Sequence, residues 1–134
     1  MFYGHAAKSA EIADPILEQI GYSPDERKVI CFYIERHDDF INWVLPADKS
    51  NRNNPYLKTI TRANVISHIN DSNNNPEWCA ISINDWLELV MLCEADADSQ
   101  SWHVFNNGQL VDSKARKLNR LEKIASILSA IINN

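Results

Sequence analysis

Apolar residues recur at every fourth position in Ile12, Ile16 and Ile20, and resume after Gly21-Tyr22 at positions 30, 33, 34, 40, 41 and 44. The first run predicts a helix with one apolar face. Pro15 interrupts it, and because Asp14-Pro15 also suits a fresh cap and first turn, a kinked helix and two short helices both fit. Ser23-Pro24-Asp25-Glu26 reads as a helix start: a capping serine, a proline at the first helical position and a glutamate that completes a capping box. The second helix is expected from about Pro24 to Trp43, ended by Leu45-Pro46. Val29 to Ile34 is rich in strand formers, but the box and the helical recurrence favour helix. With so short a turn between them, the two helices should pack antiparallel.

Downstream, the polar stretch from Pro46 to Tyr56 reads as a loop. Thr59 or Thr61 can cap a short helix carrying Val65, Ile66 and Ile69, and Asp71 to Pro76 reads as another loop. Ser82-Ile83-Asn84-Asp85 opens the most hydrophobic helix, whose apolar residues from Trp86 to Cys93 cover most of its circumference and predict a buried central element. Asn107-Gly108 is a type I′ turn signal, so Trp102 to Asp112 should be a hairpin in which Phe105 faces Leu110 and His103 faces Asp112. Leu118, Leu121, Ala125, Leu128 and Ile131/Ile132 form the stripe of a last helix, about Ser113 to Ile132. The expected fold is mainly α: a single-domain bundle of about five helices with one small β-hairpin near residues 102–111.

Composition adds limits. The 134 residues suit one domain with a single core. No apolar run approaches the roughly 20 residues that cross a bilayer, and no signal-peptide pattern opens the chain, so the expectation is a cytoplasmic protein with no membrane partner. Three cysteines without CxxC spacing point to free thiols rather than a zinc or disulfide framework. The formal charge of −5 is uneven. Residues 1–112 hold eight basic and seventeen acidic groups (8 − 17 = −9), and residues 113–134 hold five and one (5 − 1 = +4). Lys114, Arg116, Lys117, Arg120 and Lys123 crowd the first half of the last helix, the unfavourable end for its dipole. Their counter-charge is either the acidic Glu94–Asp98 stretch or a phosphate-bearing ligand.

The candidate chemistry comes from counting. His5 and His37 lie at similar distances on either side of the Gly21-Tyr22 turn, so a helical rise of about 1.5 Å per residue brings both to one end of the hairpin. His37-Asp38-Asp39 and Asp96, at the end of the central helix, can meet there. Histidine with carboxylate suits a divalent ion such as Mn²⁺, Fe²⁺ or Mg²⁺, which activates water against phosphorus and offsets phosphate charge.

Phe2-Tyr3-Gly4-His5, Ser9 to Ala13, Gly21-Tyr22-Ser23 and Ile30 to Asp38 resemble the HD metal-dependent phosphohydrolase superfamily. More narrowly, they resemble the later half of the HD domain attached to bacterial tRNA nucleotidyltransferases. Leu92 to Asp98 is similar to the leucine-rich helix ending in Ala-Asp of those domains, and Lys117 to Ile124 to their closing helix. The resemblance implies His5, His37 and Asp96 as metal ligands, in either of two registers. In one, an earlier histidine and a His-Asp doublet lie upstream of Met1, so the chain is a truncated or split HD domain completed by a second protein chain, or silent. In the other, His37-Asp38 is the doublet itself, although Asp39-Phe40 replaces the Ile/Leu-Gly that usually follows it.

Two functional expectations result. The first is metal-dependent hydrolysis of a nucleotide or RNA-end phosphoester, with Asp38 as the catalytic carboxylate, whether as ligand or orienting group, and Lys117 and Arg120 holding phosphate. The second is a non-catalytic cytosolic interaction protein, an inhibitor, immunity or anti-defence factor, on a degenerate HD scaffold. A nucleic-acid binder using the last helix alone is disfavoured by the overall acidity.

Overall fold

The structure, a computed structural model, describes residues 5–47, 57–73, 81–99, 103–106 and 109–134, apart from the side chains of 5, 103–106 and 109–114. Its helices are α1 (His5–Ile20), α2 (Pro24–Arg36), α3 (Arg62–Asn73), α4 (Ile83–Ser99) and α5 (Ser113–Ile132). Four short strands accompany them: β1 (Trp43–Val44), β2 (Lys58–Thr59), β3 (His103–Asn106) and β4 (Gln109–Asp112). The fold is thus mainly α, with five helices in the described residues around one core.

Local signals act as expected where the partners are close in sequence. Ser23 Oγ accepts from the Glu26 amide and Glu26 returns a bond to the Ser23 amide, a complete capping box at the start of α2. Ser82 and Asp85 reproduce that exchange before α4 at 3.1–3.2 Å. Thr61 Oγ1 accepts from the Asn64 amide ahead of α3, and that helix continues through Asn73, into the stretch read as loop. Gly21, at φ +113°, turns the chain between α1 and α2 in a conformation other residues rarely adopt. In the hairpin, Phe105 pairs with Leu110 and His103 with Asp112, as the type I′ turn demands. The turn residues Asn107-Gly108 lie outside the described residues, as do positions 48–56 and 74–76 of the two expected loops.

Four expectations are corrected or resolved by the tertiary structure. First, α1 is one helix with Pro15 inside it, not two. Second, its isoleucine stripe is not its packed face: Ile12, Ile16 and Ile20 are 57%, 52% and 68% exposed, while Ala10 is buried and Leu17 packs on the core. A small residue lets the helix approach α2 closely, and the Cys31 thiol reaches the Ala10 carbonyl at 3.7 Å. Third, α2 stops at Arg36, not Trp43. The amides of Asp39, Ile41 and Trp43 donate three residues back, to Arg36, Asp38 and Phe40, so tight turns replace the helix. Those turns drop Phe40 and Trp43 into the core and deliver Trp43-Val44 to a parallel pairing with Lys58-Thr59 that sequence pattern did not foretell. Fourth, α4 is not buried all round: Trp86, Leu89, Val90 and Ala97 face inward, and Met91 and Leu92 are exposed.

Trp86 is the centre of the packing. It is fully buried, edge-on to Phe32 (centroids 4.8 Å apart) and in contact with Phe40 and His68. Burying a side chain of this size stabilises the fold by about 2–3 kcal/mol. From α5, Leu121, Ile124 and Leu128 complete the core. Among the described residues no helix is long and apolar enough to cross a membrane.

Candidate functional site

A cavity of about 570 Å³ opens where the C-terminal ends of α2 and α4 meet the first half of α5. His37, Asp38, Asp96, Lys117 and Arg120 all line it, so five of the six residues singled out from sequence share one space. The sixth, His5, opens α1 four residues before Ser9, which also lines the cavity; the His5 side chain lies outside the described residues. Apolar side chains of α2, α4 and α5 make up much of the remaining wall.

The end of α2 orients His37. Its Nδ1 lies 2.6 Å from the Ile34 carbonyl, which can only accept, so Nδ1 carries the proton. Nε2 is therefore the nitrogen turned to the Asp38 carboxylate, 3.3 Å away. Both groups are about half exposed, open to a ligand. From α4, the Cys93 thiol donates to the His37 carbonyl at 3.4 Å, tying the two helix ends together. Burial pushes that thiol up to about 11, with Asp96, Asp38 and Asp39 adding to the rise and the Lys117 ammonium opposing it. Cys93 is thus protonated at neutral pH and is no nucleophile. Asp96, Lys117 and Arg120 each take part in interactions within the fold.

The donor types fit a divalent ion. A histidine whose second ring nitrogen is fixed by a backbone carbonyl, beside a carboxylate, is a usual ligand arrangement. In number they fall short: among the described residues no group of three or more His, Cys, Asp or Glu side chains is placed to share an ion. Asp96 lines the same cavity without completing such a group with His37 and Asp38.

Sequence reasoning missed the partner of Asp39. His68 Nε2 lies 2.9 Å from Asp39 Oδ2, and Arg36 Nη1 lies 3.5 Å from the same oxygen. His68 carried no spacing signal, because its contact joins α3 to the turn after α2, whereas Arg36 stands only three residues before Asp39. Comparison with protein-family models, with characterised proteins and with solved structures finds no match to the chain.

Proposed function

We propose that the cavity binds a phosphoester and hydrolyses it with the help of a divalent ion. What supports the reading is one observation: imidazole, carboxylates, ammonium and guanidinium from the turn after α2 and from α4 and α5 line a single space. His37 would hold the ion, with His5 and Asp96 the further ligands that the HD-like resemblance implies and Asp38 beside them. When bound, such an ion supplies a water of lowered pKa and offsets phosphate charge.

The chain's own residues do the rest. Lys117 and Arg120 take the phosphate oxygens and stabilise the charge that gathers on them in the transition state. Asp38 accepts the proton as the water oxygen bonds to phosphorus and the ester P–O bond breaks; the departing alkoxide takes a proton from solvent. The Ile34 carbonyl keeps the proton on Nδ1 of His37, which leaves the lone pair of Nε2, beside Asp38, for an ion.

Titration calorimetry with Mn²⁺ and turnover of p-nitrophenyl phosphate test this. Wild-type protein should bind Mn²⁺ at micromolar levels and lose that binding in His37→Ala. Lys117→Ala should lower kcat/KM by about 10²-fold, the scale of one lost charge-stabilising donor. Absence of both binding and turnover ends the enzyme reading of the isolated chain.

A second reading, the non-catalytic interaction protein, is favoured by the exposed Ile12–Ile16–Ile20 stripe, an apolar helix face with no core behind it.

A further inference from the structure

We propose that the apolar face of α1 pairs with the same face of a second copy of this chain, the two helices antiparallel about a two-fold axis beside Ile16. Ile12, Ile16 and Ile20 are each more than half exposed, although Ala10 and Leu17 of the same helix are packed. Their open surface amounts to about 300 Å² per copy, a patch size that is often functional. The ridge is its own complement. Its residues stand four apart, so a half-turn about Ile16 sets Ile12 on Ile20 of the second copy and Ile16 on itself, the reciprocal contact of a two-fold dimer.

Charge selects the antiparallel pairing. At about 100° per residue, Ala13 and Gln19 flank the ridge, while Glu11, Asp14 and Glu18 fall roughly 140–160° from Ile16, on the far side of the helix. No carboxylate of α1 therefore meets its twin across the pair. Among the described side chains of α1, Lys8 is the one charge near the edge of the ridge, and its ion pair with Glu11 is exposed and weak. Parallel helices would set Lys8 against its own copy and align the two dipoles. Antiparallel helices carry it towards the C-terminal end of the other α1, the negative end of the dipole, where the last turn holds no basic residue. Area sets the strength. With Ala13, Gln19 and the Lys8 stem as rim, the pair buries on the order of 1,000 Å² in total, below the roughly 1,200–2,000 Å² of stable complexes, so the dimer is weak, with a Kd of about 10–100 μM. Such pairing does not depend on what the cavity binds, so its test and that of phosphate binding fail separately.

Sedimentation equilibrium of the full chain from about 1 to about 500 μM tests the pairing, and the mass should rise from that of one chain towards that of two. Ile16→Glu, which sets two carboxylates face to face on the axis, should weaken the dimer at least about 30-fold, the scale of a lost interface anchor. Its thermal melt at about 1 μM, where the chain is a monomer, should match the wild type. Disulfide trapping reads the direction. In a Cys31→Ser/Cys79→Ser/Cys93→Ser background, Ile12→Cys mixed with Ile20→Cys should cross-link, and Ile12→Cys alone should not. The trapping result stands whether or not Ile16→Glu folds. Monomer throughout the range overturns the proposal and leaves the face to a partner of another kind. A dimer indifferent to Ile16→Glu, or Ile12→Cys cross-linking by itself, overturns it as well.

Discussion

His68 donates from Nε2 to the Asp39 carboxylate across 2.9 Å, inside a box formed by the rings of Phe40, Trp43 and Trp86. Asp39 and His68 are only 14% and 16% exposed, and Asp39 also faces Arg36. The pair sits one residue from the cavity and packs against the aromatic rings of the core. Asp39→Ala leaves two mostly buried donors without an acceptor and should cost about 1–3 kcal/mol in urea unfolding. Asp38→Ala, at an exposed carboxylate, should stay within about 0.5 kcal/mol.

Gly21 turns α1 into α2 at φ +113°, with open space where a Cβ would sit. Gly21→Ala therefore meets no clash, and its cost is backbone strain alone. Chemical denaturation should report a loss of about 1–2 kcal/mol with an unchanged m-value.

The α2 capping box ties stability to pH. Hydrogen bonds from the Ser23 amide and then its hydroxyl hold the Glu26 carboxyl below its ordinary value near 4.5. A carboxyl lowered on folding adds stability above that ordinary value, and the gain is lost as pH falls through the folded pKa. Ser23→Ala should destabilise at pH 7 by about 0.5–2 kcal/mol, and by less at an acid pH below the folded value of Glu26, where its carboxyl is protonated and the bond weaker. Thermal melts at the two pH values measure the difference.

Cys93 offers a probe of the cavity wall. With its thiol pushed up to about 11 from the ordinary 9.0, the thiolate fraction at pH 8 falls by about 100-fold. In a Cys31→Ser/Cys79→Ser background, iodoacetamide should alkylate it about that much more slowly than an unfolded control. Lys117→Ala should slow it further, because the ammonium is what favours the thiolate.

The orientation of α1 is open to direct mutation. Ile12→Glu and Ile16→Glu, on the exposed stripe, should change stability by no more than about 0.5 kcal/mol. Ala10→Glu, which forces a charge against Cys31, should cost well over 2 kcal/mol or prevent folding.

How much was legible depends on distance along the chain. Ser23 with Glu26, Ser82 with Asp85 and the hairpin register are bonds between near neighbours, so their residues announce them. The turn arithmetic pairs His5 with His37, and the His5 side chain lies outside the described residues; that Asp96, Lys117 and Arg120 line one cavity with His37 and Asp38 depends on how α4 and α5 pack, which no spacing along the chain records. The end of α2 was not legible either. Its apolar recurrence runs on to position 44, and only the pull of Phe40 and Trp43 toward Trp86 and His68 breaks the helix at Arg36.

The amino-acid sequence by itself determined five helical segments and two of their capping boxes. Those follow from backbone hydrogen bonding and periodicity within a few residues. The tertiary structure decided which face of α1 is covered, the parallel pairing of Trp43-Val44 with Lys58-Thr59, and the partner of Asp39. Each of these depends on which distant surface offers the closer packing, and no local pattern records that competition.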